Sequence, residues 1–125
     1  MAKNFIQAGN VLDYTNATGS DIASGAVVKL GATEDATLAV ALVDIANGAS
    51  GAVQIAGVFE VPKVSAAVFK QGESLIWDVS VGKFDDNQAT PATGDVSGSV
   101  IAAADGANTE TTCKALFTGR PGAIA

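Results

Sequence analysis

Histidine is absent from the sequence and cysteine occurs once, as Cys113. Without an imidazole, neither a Ser-His-Asp nor a Cys-His nucleophile can be assembled, and the usual proton carrier at neutral pH is missing. One thiol and no imidazole also fall short of a zinc ligand set, and a lone cysteine excludes an internal disulfide framework. Cations are scarce: Lys and Arg number 7 against 13 Asp and Glu, for a net charge of −6. That balance repels phosphate backbones and argues against nucleic acid as a partner. Aromatic residues are 6% of the chain and scattered, so no basic-aromatic platform for stacking bases is expected. The longest apolar run, residues 38–43, is far below the roughly 20 residues that cross a bilayer. The first residues also lack the apolar segment of a secretory signal, so no membrane partner and no export are expected.

What is present points to β-structure. A chain of 125 residues suits one domain, large enough to bury a core without metals or disulfides. Apolar residues make up 48% and charged residues 16%, too little charge for disorder. Ala and Val dominate the apolar share, and such small side chains fill thin layered sheets better than a roomy ligand cavity. Short alternating segments are set between Gly, Ser, Asn, Thr and Asp turns, which predicts an all-β barrel or sandwich of short antiparallel strands with little helix. Strands are expected at residues 11–15, 26–30, 38–43, 53–61, 74–79, 100–103 and 111–117, with residues 82–84 returning as a hairpin partner of 74–79. In the longest of these, Val53, Ile55, Gly57, Phe59 and Val61 share one face. Gly57 predicts a bulge or bend, and Pro62 ends the strand. Residues 64–71 read either as a helical turn or as an extended crossing, and residues 85–98 as a polar surface loop.

Candidates for chemistry dissolve on inspection. The adjacent carboxylates Glu34-Asp35 and Asp85-Asp86 fall in turn-like segments, and neither has calcium-loop spacing. Gly82-Lys83 lacks the remaining positions of a phosphate loop, and Gly94-Asp95-Val96-Ser97-Gly98 misplaces its serine for a nucleophile elbow. Cys113 reads as a buried structural thiol and Trp77 as core, with a subunit interface as the alternative for the tryptophan. No catalytic residue, cofactor or metal site is expected.

Two features remain. Gly25-Ala26-Val27-Val28-Lys29-Leu30 echoes Gly72-Glu73-Ser74-Leu75-Ile76-Trp77, and Ala41-Leu42-Val43-Asp44 echoes Ala102-Ala103-Ala104-Asp105. The chain is either two β-rich halves of one domain or a set of Gly- and Ala-rich strands that look alike by chance. At the other end, Lys3, Asn4, Phe5, Ile6 and Gln7 precede the first strand and carry two apolar residues. They read either as an edge strand of the protein's own sheet or as an arm, within residues 1–8, that adds to a partner's sheet. Residues 9–125 then form the β-rich domain.

The order of these features resembles one family. Met1-Ala2-Lys3-Asn4-Phe5-Ile6-Gln7 with Gly9 and Leu12, Ser24-Gly25-Ala26-Val27-Val28, Val40-Ala41-Leu42, Gly57-Val58-Phe59-Glu60-Val61-Pro62-Lys63, Gln71-Gly72-Glu73-Ser74-Leu75-Ile76-Trp77-Asp78 and Ile101-Ala102-Ala103-Ala104 together are similar to the tailed-phage capsid cement, or head decoration, proteins. The similarity covers most of the chain and is weakest over residues 85–97. It implies a structural, non-enzymatic β-protein made in the host cytoplasm. Many copies would sit on the outside of the virion head, as trimers bound to the major capsid protein and stabilising its expanded lattice. A β-module that binds carbohydrate or a host surface is the competing expectation. No capsid-contact motif carries over, so the segment Lys3 to Gln7 is the candidate contact.

Overall fold

The structure is a computed structural model and describes residues 3, 4 and 8–125. Among these residues there is no helix, and ten strands join one curled antiparallel sheet that forms a half-barrel. They are β1 (Val11–Thr15), β2 (Val27–Leu30), β3 (Asp35–Ala41), β4 (Ser50–Gln54), β5 (Ala56–Pro62), β6 (Ser74–Asp78), β7 (Lys83–Asp86), β8 (Val96–Ala102), β9 (Thr112–Thr118) and β10 (Gly122–Ile124).

The segment expected as one strand over residues 53–61 is two, β4 and β5, broken at Ile55. Its alternation runs unbroken through the bend, yet Val53 and Ile55 pack in one core while Phe59 and Val61 pack in another. The Gln54 side chain bridges the bend by donating to the Ala56 carbonyl. Gly57, at φ +137°, follows directly. A Cβ there would lie 2.9 Å from the Gln54 amide, so a side chain would displace the bridge. The region expected as a loop over residues 85–98 also carries strand at both ends, since β7 runs to Asp86 and β8 begins at Val96. Residues 64–71 are a crossing segment with one turn at Val64–Ala67 and a lone bridge from Phe69 to Gly106. Val79 lies beyond β6 and is exposed, not on the core face with Leu75 and Trp77.

The echo in the sequence is a repeat in the structure. β1 pairs with β4 as β5 pairs with β9, β2 with β3 as β6 with β8, and β3 with β4 as β8 with β9. The registers correspond, apart from a shift between Leu75 and Ile76 in the β6–β8 pairing that β2 and β3 do not have. Val28 faces Ala39 where Leu75 faces Val100, Ala41 faces Val53 where Ala102 faces Ala115, and Tyr14 faces Gly51 where Val61 faces Cys113. The turns correspond as well. The Ser24 N–H donates to the Asp44 carboxylate as the Gln71 N–H donates to Asp105, and an Ile22–Ile45 bridge matches the Phe69–Gly106 bridge. Just after β1 and β5 stand Asn16 and Lys63, both fully buried, whose N–H groups donate to the Ala49 and Thr111 carbonyls.

β10 joins the halves. It pairs antiparallel with β3 and with β8, the two equivalent strands. Buried Ser99 reinforces this seam, its hydroxyl accepting from the Leu38 N–H and donating to the Arg120 carbonyl. The cores differ in size. The larger gathers Leu75, Trp77, Phe84, Val100, Ala115 and Phe117 with Leu38 and Val40 from the back of β3, and the smaller gathers Val28, Ala39, Ala41, Ile45 and Val53. β3 therefore walls both cores, its alternate residues facing opposite ways.

Candidate docking surface

Lys3 and Asn4 lie in an exposed turn, while Phe5, Ile6 and Gln7 lie outside the described residues. The five candidate contact residues are thus not assembled into a site by the described structure. Elsewhere the exposed large apolar residues are Leu42 and Val43 after β3, Val58 on β5, Val68 in the crossing segment, and Val79 and Val81 in the β6–β7 turn. Alternation alone places two of these, Leu42 and Val79, on a face with Leu38 and Val40 and with Leu75 and Trp77, because it cannot show where a strand stops.

Several carboxylates accept hydrogen bonds from nearby turns and strands. A cleft of about 270 Å³ is lined by Glu60, Asp105, Glu110, Cys113 and Lys114 among others. In it, the Thr112 hydroxyl hydrogen-bonds the Glu60 carboxylate, and the Ala107 N–H donates to Glu110. The Gln71 N–H donates to Asp105 and holds its carboxyl below the usual range, with help from Lys70 at 3.6 Å. Burial pushes the Cys113 thiol up to about 11, so it is protonated at neutral pH and a poor nucleophile. Glu34 and Asp35 are exposed at the start of β3, and Asp85 and Asp86 are half-buried in β7. Among the described residues, no group of three or more His, Cys, Asp and Glu is placed to hold a metal ion.

A different feature was hidden from sequence reasoning. The large core is closed: Val61, Phe69, Trp77, Phe84 and Phe117 are all buried, with Phe84 packed 4.8 Å from Trp77 and 6.0 Å from Phe117, ring centre to ring centre. In the small core the residues equivalent to Val61, Phe69, Trp77 and Phe117 are Tyr14, Ile22, Leu30 and Ile55, and all four are only partly buried. The reason is an unequal connection. Residues 79–95 join β6 to β8 and include β7, which delivers Phe84, whereas residues 31–34 join β2 directly to β3. The unequal lengths of these two connections are the signal in the sequence that could have revealed the opening.

Among the described residues, a curled antiparallel sheet with one core half open and the outer edge of β2 unpaired makes this a small all-β domain. Within that class, the chain belongs to the phage cement protein family, whose model matches residues 6–115. No curated protein and no solved structure matches the chain. The family is structural rather than enzymatic, and membership gives this chain a cement role in the phage capsid with capsid protein as its partner.

Proposed function

We propose that this protein binds the outer surface of the phage head as trimers and stabilises the expanded capsid lattice. The family match over residues 6–115 carries the reading. A cement protein favours one lattice state only by binding it more tightly than the other. A trimer on three equivalent sites gains avidity, so each contact can be modest. The acidic balance of the chain, −6, supports a protein partner over nucleic acid. Lys3, Asn4, Phe5, Ile6 and Gln7 serve as an arm that adds to a sheet edge of the capsid protein, and the exposed turn at Lys3 and Asn4 supports that reach.

Purified protein added to expanded empty heads should raise their melting temperature, and density should fill the threefold positions of the decorated heads. Heads that melt identically with and without it would overturn the reading. Removing residues 1–7 should weaken head binding while the isolated protein melts unchanged. Full affinity of the shortened chain would remove the arm from the interface.

A further inference from the structure

The half-open core lies beside an unpaired strand edge. Among the described residues, β2 pairs with β3 alone. The Ala41 N–H donates to the Ala26 carbonyl, which fixes the alternation. Val28 and Leu30 exchange hydrogen bonds with β3, while the peptide groups of Val27 and Lys29 point outward. In the other half the corresponding strand, β6, pairs antiparallel with β8 through a register shift between Leu75 and Ile76 that β2 and β3 lack, and its outward edge is filled by β7 running antiparallel, with Ile76 opposite Asp85 and Trp77 opposite Phe84. The first half therefore lacks one strand and one large apolar side chain at a place the second half defines.

We propose that the free edge of β2 receives an extended segment of the capsid protein, laid antiparallel as β7 lies on β6, with one large apolar side chain seated against Leu30 as Phe84 sits against Trp77. This rests on the capsid-cement role. The incoming strand recovers the edge hydrogen bonds of Val27 and Lys29 and covers the apolar rim of Tyr14, Ile22, Leu30 and Ile55. A second copy is the poorer occupant. Its β7 cannot be lent, because Phe84 is 0% exposed and its carbonyl already accepts from the Val64 N–H. Pairing β2 with its own copy makes a two-fold contact that brings no aromatic side chain.

Hydrogen exchange on the wild-type protein, free and bound to expanded empty heads, tests the site. The Val27 and Lys29 amides should exchange freely in the isolated protein and slow by about tenfold or more on heads. Val27→Pro removes an edge N–H that β3 does not use. It should stay folded in isolation, melting somewhat lower because the partly buried Val27 side chain packs on the large core, and bind heads about tenfold more weakly. Wild type that binds heads with both amides unprotected, or a folded Val27→Pro with full affinity, overturns the site while leaving the cement role standing. Wild type that does not bind heads at all overturns both. Amides already protected in the free protein also overturn it, assigning the edge to a second copy if dilution releases them and to the chain's own N-terminus if removing residues 1–7 does.

Discussion

The two halves of the molecule pair equivalent strands, in equivalent registers up to a shift between Leu75 and Ile76, tie equivalent turns with Asp44 and Asp105, and then close their cores by different means. In the second half, aromatic residues fill the interior, β7 seals one side with Phe84, and the back of β3 covers another through Leu38 and Val40. In the first half, aliphatic residues stand at most of those positions, and the described structure places no strand over the rim. Backbone pairing can thus be repeated with little sequence in common, because hydrogen bonds and turn geometry specify it. Closure depends on side-chain volume and on one extra strand. The second half buries the larger core, and the first leaves Tyr14, Ile22, Leu30 and Ile55 partly exposed.

The sharpest way to break this contrast is to truncate each side of it. Phe84→Ala removes a fully buried ring that touches Trp77 and Phe117, and should lower unfolding free energy by about 3–5 kcal/mol in urea titrations. Leu30→Ala, at the half-buried position equivalent to Trp77, should lose only about 1 kcal/mol. Equal losses at the two sites would mean that the first half is closed in solution.

The buried polar pair at the ends of β1 and β5 offers a second comparison. The Lys63 ammonium donates to the carbonyls of Val64, Ser65 and Glu110. Asn16 donates to the Ser20 and Ile45 carbonyls and accepts from the Thr18 N–H and hydroxyl. Each side chain staples the segment after its strand to the connection that precedes the last strand of its half. Lys63→Met keeps the aliphatic stem and loses the donors, stranding buried carbonyls, and should destabilise by about 2–3 kcal/mol. Asn16→Leu should lose about 1–2 kcal/mol by the same mechanism, since its segment is more exposed and water can replace part of the network. Wild-type stability in Lys63→Met would assign the role of this lysine to its stem alone.

Alternation and turn residues made most of the fold legible: β1, β2, β6 and β9 fall within a residue of expectation, and the repeat shows in the matched Gly and Asp turns. The break at Ile55 was not legible, because a period of two reports the side on which a residue points and not which core lies there. β10 was not legible either. Three residues after Pro121 carry no pattern, and Gly122 is drawn into the sheet by the unpaired ends of β3 and β8, approaching so closely that a Cβ would meet the Ser97 carbonyl at 2.5 Å. The candidate site was the least legible part. Ile22 lies outside every expected strand and Leu30 ends one with nothing to mark it as exposed, and what exposes them is the absence of a strand between β2 and β3.

The smallest expected effect separates the halves at Cys113, which stands opposite Val61 where Gly51 stands opposite Tyr14. At Gly51, the Ile45 and Val43 side chains occupy the space a Cβ would need. In the second half the positions equivalent to Val43 and Ile45 carry the smaller Ala104 and Gly106. Burial holds that thiol up to about 11, whereas in the unfolded chain it ionises near 8.5. Because the folded value is the higher one, the folded state keeps its proton longer. This contribution to stability is complete below about pH 8.5, declines as the pH rises through the window above it, and is gone once the folded thiol itself ionises. Lysines and Tyr14 also titrate in alkali, so the informative quantity is the difference between wild type and Cys113→Ala. Wild type should lose on the order of 1 kcal/mol more than the variant between neutral pH and the top of that window, a value reduced by solvent screening of a partly accessible site. Parallel stability curves for the two proteins would show that Cys113 ionises as freely folded as unfolded, and that the second half is less tightly closed around it than its packing indicates.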